Sequence, residues 1–304
     1  MTAHVLHYSA FTHQGRGGNP AGVVLNAHGL TDAEMLRIAQ VVGYSETAFL
    51  FPEDSPADPR PGDGRAPTSG IQAARIRYFS PLAEVAFCGH ATVASAAAVA
   101  DRHGPGELHL STHVGPVVIS TWTAGGHTGA TLTSPPASSR PATPAELEPA
   151  LDAFGWTVED LDPRFPAQVG FAGNHHLMLG VGSRDTLAAM TYDYPALARL
   201  MDVASWTTVN VFWAESDVVF HARNPFPPGG VVEDPATGAA AAAFGGYLRQ
   251  IGHSRPPATL TIHQGHDLGT PSELTVELRP GQDGVAVSGE ATEMPSDDDA
   301  RRVL

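Results

Sequence analysis

The sequence predicts an α+β protein built as two related halves, and three observations carry that reading. First, Tyr78 to Ala100 runs a short apolar strand into Cys88-Gly89-His90 and then into a helix of almost nothing but small residues. From Ala91 to Ala100 only Thr92 and Ser95 are polar, so this helix has no face suited to water and is expected to be buried. Second, the construction comes back once: Val231 to Gly238 leads into Ala239 to Phe244, another small-residue helix opened by a glycine. Nearly half of the 304 residues separates Gly89 from Gly238, the spacing of a duplicated unit. Third, strand-type runs flank both helices. A helix N-terminus carries free N–H groups and roughly half a positive charge, which makes it a seat for an anion. Gly89 lets a ligand approach that backbone closely. Two such termini facing each other would hold one anionic group with backbone dipoles in place of basic side chains.

A chain of this length buries a large core and usually divides into two domains. With Lys+Arg 17 against Asp+Glu 32 the formal net charge is −15, which argues against nucleic acid and anionic membrane surfaces as partners. The only cysteine is Cys88, so disulfides within the chain and cysteine zinc sites are excluded, in keeping with a reducing cytosol. Nothing at Met1 to Ala10 resembles a signal peptide and no run approaches about 18 apolar residues. The expectation is a soluble cytoplasmic protein.

In chain order, His4 to Ala10 and Ala21 to Leu25 read as strands joined by the glycine-rich loop Phe11 to Pro20, which lacks the spacing of a dinucleotide or phosphate motif. Thr31 and Glu34 have capping-box spacing and open a helix to about Val42. Tyr44 to Phe51 is a β-type run carrying Glu46, which by itself reads as a solvated strand residue. Pro52 to Gly70, rich in Pro, Gly and Asp, is expected to be a surface loop. Ala74 to Phe79 feeds the central motif. Glu107 to Leu110 and Val114 to Trp122 form a hairpin, with a further strand at Ala130 to Thr133. Pro135 to Pro149 is the expected interdomain connection, leading into a helix near Leu147 to Phe154 and dividing domains 1–135 and 136–290. In the second half, Leu177 to Val181, Thr207 to Trp213, Val218 to Ala222, Thr259 to His263, Leu274 to Leu278 and Val285 to Val287 are strands, and Tyr194 to Met201 is a helix. Residues 291–304 are expected to be a flexible tail.

Among the chemistry-bearing residues, Cys88 reads either as a thiolate at a helix N-terminus or as a small buried filler. A two-thiol racemase would need a second cysteine, and there is none. His90 is placed to contact a ligand or to cap its helix, and Asp234, before Pro235, to bind substrate or serve as a plain N-cap. His175-His176 is not expected to bind metal: adjacent strand positions point to opposite faces and no further ligand motif accompanies them. No Gly-x-Ser-x-Gly elbow is present, which argues against a standard hydrolase triad.

Five blocks then match a known pattern: Gly18-Asn19-Pro20-Ala21-Gly22-Val23; Ser45-Glu46-Thr47-Ala48-Phe49; Tyr78-Phe79-Ser80-Pro81 with Glu84 and Cys88-Gly89-His90-Ala91-Thr92; Glu233-Asp234-Pro235-Ala236-Thr237-Gly238; and Gln264-Gly265 with Pro271-Ser272. In order and to about Glu290, they resemble the phenazine-biosynthesis PhzF-like isomerase family. The resemblance implies a diaminopimelate epimerase-like fold: two pseudo-symmetric domains, each a curled, mainly antiparallel, barrel-like sheet around a buried central helix, with the site in the cleft between them. It implies Glu46 as general acid/base, His90 and Asp234 as groups that orient substrate and assist proton transfer, and Gly89, Gly238 and Ala239, beside Cys88, as the backbone cradle of a carboxylate. The family often has Ser where Ala239 stands, so a hydroxyl contact is lost while the N–H remains. No cofactor and no metal are required, and a homodimer is implied.

The chemistry so implied is proton transfer between carbons of a small unsaturated amino or hydroxy acid, in a setting such as secondary metabolism. Burial raises a carboxylate's pKa and helix N-termini lower it, so the two effects oppose each other at Glu46. Fixed N–H dipoles stabilise the developing anion. Two alternatives stay open: a two-base amino-acid racemase or epimerase, and a non-catalytic small-anion-binding protein of the same fold.

Overall fold

The computed structural model describes residues 3–53 and 71–295. Within them the chain forms two compact units, the first from residues 3–15, 19–53, 71–132 and 289–295, the second from 16–18 and 133–288. The surface loop expected between Pro52 and Gly70 lies, from residue 54, outside the described residues, as does the tail beyond 295. No described helix is long and apolar enough to cross a membrane.

The first unit runs β1 (Leu6–Thr12), β2 (Asn19–Val24), α1 (Asp32–Val42), β3 (Glu46–Pro52), β4 (Ala73–Phe79), β5 (Glu84–Val85), α2 (Gly89–His103), β6 (Glu107–Thr112), β7 (Gly115–Ala124) and β8 (His127–Pro136). The Thr31 capping box starts α1: its hydroxyl accepts from the Glu34 amide at 3.3 Å and its own amide donates to Glu34 Oε2 at 2.8 Å. Gly43, left-handed at φ 71°, ends the helix. Met35, Ile38 and Ala39 of α1 pack on Phe49, Phe51 and Phe79.

Every residue of α2 from His90 to Ala100 is buried, and the helix packs against β1, β2, β3 and β7, so the sheet curls around it. Its two buried hydroxyls give their protons to carbonyls one turn earlier. Thr92 donates to the Cys88 carbonyl at 2.6 Å and Ser95 to the Ala91 carbonyl at 2.7 Å.

The second unit runs β9 (Ser138–Pro141), α3 (Pro144–Phe154), β10 (Gln168–Phe171), β11 (His175–Gly180), α4 (Arg184–Ala188), α5 (Tyr194–Ala204), β12 (Trp206–Ala214), β13 (Val219–Pro225), β14 (Glu233–Asp234), α6 (Gly238–Gln250), β15 (Ala258–Gln264), β16 (Ser272–Leu278) and β17 (Gly284–Glu293). Here α6 is the enclosed helix, buried from Ala240 to Leu248 and packed on β9, β10, β11, β12 and β16. Close approach demands its small residues. A Cβ on Gly245 would lie 2.7 Å from Val276, and one on Gly246 would lie 2.6 Å from the Ala137 Cβ.

Strand pairing repeats between the units. In the first, β1–β2 is antiparallel, β2–β3 parallel, β3–β4 antiparallel, β4–β6 parallel, and β6–β7 and β7–β8 antiparallel. From β10 the second unit follows the same order, with two-residue β14 on β13 as β5 lies on β4. Residues 290–293 at the end of β17, which belong to the first unit, pair with β1, and within the second unit β9 pairs with β10.

Four points of the sequence reading need correction. The stretch from Pro135 to Pro149 is not an open connection, because β8 runs to Pro136 and β9 follows. The helix expected near Leu147 starts at Pro144, where Thr143 and Glu146 close a second capping box with Pro at the first turn. And β10 has no counterpart in the sequence reading: its four residues include Gly170, and its pairing with β9 and β11 is non-local. Strand β17 also continues through residues 291–293, inside the span read as tail.

His175 and His176 do face opposite ways, the first exposed and the second fully buried. Thr208 gives its hydroxyl proton to Asn224 Oδ1 at 2.9 Å, so at 2.8 Å it accepts from His176 Nδ1. Asn224 in turn donates to Asn210 Oδ1 at 3.2 Å. The remaining ring nitrogen, Nε2, is buried with no hydrogen-bond partner, which suits the neutral tautomer. Burial, with a smaller push from His175, lowers the His176 pKa to about 3 from 6.5. The unfolded chain therefore binds a proton here that the folded chain refuses. The stability at stake is complete above pH 6.5 and is lost as pH falls toward 3. In His176→Gln, which keeps a donor for Thr208, urea unfolding between those pH values should lose up to about 1.4 kcal/mol per pH unit of acid sensitivity.

Candidate active site

In the first unit three of the expected residues converge. Glu46 opens β3, where parallel pairing sets it beside Ala21 of β2. Cys88 is the N-cap of α2, in extended conformation, and His90 sits in the first turn. Cys88 Sγ donates to Glu46 Oε2 at 3.5 Å. His90 Nε2 lies 3.4 Å from the same oxygen, and Cys88 Sγ lies 3.4 Å from His90 Nδ1 and 3.8 Å from Nε2. Ser45 Oγ adds a contact to His90 Nε2 at 3.3 Å. The Glu46 side chain is only 15 % exposed, so the solvated-strand reading of its segment fails. No side chain caps α2, and a Cβ built on Gly89 would meet nothing within 4 Å among the described residues. Gly89 thus leaves open space at an uncapped helix N-terminus.

A buried chain fixes the Cys88 backbone. Thr92 spends its proton on the Cys88 carbonyl, so Tyr78 donates to Thr92 Oγ1 at 2.7 Å. Burial pushes the Tyr78 hydroxyl well above its ordinary pKa, which keeps it a donor. On the hairpin leading into α2, Arg77 forks onto Glu84 with two bonds of 2.6 Å and reaches Asp32 at 2.7 Å. Arg77 holds the Glu84 carboxyl below its usual range.

In the second unit Asp234 ends β14 and Thr237 is the N-cap of α6. Thr237 Oγ1 donates to Asp234 Oδ2 at 2.6 Å. Gln264 braces the turn: its Nε2 donates to the Asp234 carbonyl at 2.7 Å and its Oε1 accepts from the Thr237 amide at 3.1 Å. Gly238 and Ala239 are the first, partly exposed residues of α6, which has no side-chain cap. Arg223 forks onto Glu233 as Arg77 does onto Glu84, and its Nη1 also donates to the carbonyls of Leu187, Ala188 and Met190.

Glu84 and Glu233 each stand five residues before the helix glycine, so the repeat aligns Cys88 with Thr237, His90 with Ala239 and Val85 with Asp234. The scaffold is duplicated while its chemical groups are not. Sequence reasoning had not singled out Arg77 or Arg223, and had used Ser45, Thr237 and Gln264 only as parts of matching blocks. Glu84 and Glu233 carried a signal in that shared five-residue offset, whereas their arginine partners did not.

Two units of one strand order, each wrapped around an enclosed helix, with a carboxylate, a thiol and an imidazole gathered at one helix N-terminus, define an isomerase with a diaminopimelate epimerase-like fold. The family described as phenazine biosynthesis-like protein matches residues 8–296, and the chain belongs to it. It is 31% identical to a trans-2,3-dihydro-3-hydroxyanthranilate isomerase of Pseudomonas fluorescens, over 84% of this chain and 83% of that protein. A PhzF-family phenazine biosynthesis protein of Bacillus anthracis superimposes with a TM-score of 0.82 at 26% identity, covering 97% and 98% of the two chains. A hydroxyproline epimerase of Agrobacterium vitis shares the fold at a TM-score of 0.57 and 14% identity, over 99% and 95%.

Removing Arg223 strands a carboxylate that is only 3% exposed. Arg223→Met should cost about 3–5 kcal/mol in urea unfolding, and Arg77→Met, whose partner is 26% exposed, clearly less.

Proposed function

We propose that the protein moves a proton between carbons of a small unsaturated amino or hydroxy acid without a cofactor, Glu46 being the group that takes the proton and gives it back. The observation that carries this reading is the Glu46 carboxylate, largely withdrawn from water, in contact with the Cys88 thiol and the His90 ring beside the open space at Gly89. A carboxylate that removes a proton needs a neighbour to settle its charge in each protonation state. The thiol donates to it now, and the imidazole can donate or accept. A substrate carboxylate at the first-turn amides of α2 would be held by N–H groups and the helix dipole. Within the second unit, Asp234 and the amides of Gly238 and Ala239 form a comparable N-terminus, proposed as a seat for an anionic group. Secondary metabolism is the proposed setting, and the substrate named for the Pseudomonas fluorescens relative is the first compound to try.

The racemase reading with two thiols gains nothing, because Thr237 occupies the position equivalent to Cys88 and its hydroxyl is engaged by Asp234.

In deuterated buffer, with trans-2,3-dihydro-3-hydroxyanthranilate as the probe, Glu46→Gln should lower solvent exchange into substrate at least about 1,000-fold, and Cys88→Ala by less than about tenfold. Exchange at the normal rate in Glu46→Gln would remove that residue from its role. Gly89→Ala separates binding from folding. Among the described residues beyond its own helix and chain neighbours the added methyl meets nothing within 4 Å, so urea stability should stay within about 0.5 kcal/mol while kcat/KM falls at least about tenfold.

A further inference from the structure

Three donors of different kinds meet within one small volume: Cys88 Sγ, His90 Nε2 and Glu46 Oε2, all within 4.8 Å of one another. Their separations are 3.5 Å from sulfur to oxygen, 3.4 Å from nitrogen to oxygen and 3.8 Å from sulfur to nitrogen. Bonds of about 2.0–2.3 Å at a tetrahedral zinc ion place such donors about 3.4–3.6 Å apart. Side-chain movements of a few tenths of an ångström would therefore convert the hydrogen-bonded cluster into a ligand set. Cys88 and His90 are both buried, and the N-cap and first turn of α2 hold their backbones in place.

We infer that this cluster takes one thiophilic divalent cation, zinc above all, and that the bound ion closes the enzyme by occupying the lone pair with which Glu46 would take the substrate proton. Binding at the cluster needs nothing from the isomerase reading, whereas its inhibitory effect rests on it. The donor set excludes the hard cations. Magnesium and calcium take oxygen ligands, while thiolate and imidazole suit zinc and its first-row neighbours. Thiolate and carboxylate together balance the charge of the ion, and three protein ligands leave a fourth position for water or a small anion. The thiol proton is released to solvent when the metal binds. Among the described residues of the first unit no other group of three such donors gathers so tightly. A sequence containing one cysteine excludes zinc sites made of several cysteines, yet it does not exclude a mixed site of this kind.

That single cysteine makes the test unambiguous, because any thiolate-to-metal charge-transfer band must come from Cys88. Cobalt(II) titrated into the full-length reduced protein should raise a near-ultraviolet thiolate band that saturates at one equivalent and is bleached by one equivalent of zinc. Cys88→Ser should abolish the band. Glu46→Gln and His90→Ala, checked for unchanged far-ultraviolet circular dichroism, should each weaken cobalt affinity at least tenfold. Zinc at the saturating ratio should suppress solvent exchange into substrate, and a chelator should restore it. Absence of the band overturns the site, as does a band whose affinity is unmoved in both Glu46→Gln and His90→Ala. Because the band is read without substrate, a protein that shows it but exchanges nothing keeps the cation site and loses only the isomerase reading.

Discussion

Everything in this structure depends on a helix with no solvated face. A helix enclosed by strands on every side can present only side chains small enough for the surrounding backbone to come close, and it must satisfy its own polar groups. Both conditions hold in α2. Ten of its eleven buried positions from His90 to Ala100 are Ala, Val, Ser or Thr, and the hydroxyls of Thr92 and Ser95 turn back onto carbonyls one turn earlier. In α6 the same constraint goes further, to glycines whose missing Cβ atoms make room for Val276 and Ala137. A helix so enclosed has only its ends free to act. Its sides make the core and its N-terminus makes the site.

The two units show how a duplicated scaffold comes to hold different chemistry. An Arg–Glu fork pins the hairpin before each helix, Arg77 with Glu84 and Arg223 with Glu233, and the fork sets the path of the five residues that follow. Along that path one copy has Cys88 and His90, while the other has Thr237 and Ala239 with Asp234 earlier in the turn. The ion pairs differ in burial, which makes the second more expensive to break than the first. Neither is among the groups proposed for the chemistry. They fix backbone, and the backbone carries the groups that differ.

The proposed proton carrier, Glu46, has limited contact with water, the Cys88 thiol donating to it and the His90 ring beside it. The same closeness that suits proton transfer suits coordination, since hydrogen-bonded donors about 3.5 Å apart are spaced as the ligands of a small cation are. The proposed function and the proposed susceptibility to metal rest on one geometry. Membership of the phenazine biosynthesis-like family agrees with the isomerase chemistry, and the relative of known substrate indicates where to begin the search for this protein's own.

Much of this was legible in the sequence because it is local. The runs after Gly89 and Gly238, the Thr31 to Glu34 cap and the strand alternation record contacts between residues a few positions apart, and the matching blocks pointed to Glu46 and His90, which the fold brings to 3.4 Å. Local pattern also misled where a stronger local signal lay next to it: the proline-rich stretch from Pro135 read as a linker although Thr143 and Glu146 start a helix within it. What only the tertiary structure decided is non-local. Strand β10 exists because β9 and β11 flank it, and His176 is neutral because Thr208 and the core enclose it. The meeting of Glu46 with Cys88, 42 residues further on, depends on where β3 and α2 are laid by the sheet. Composition and periodicity determine which segments must be buried; the close packing of those segments alone determines which distant side chains touch.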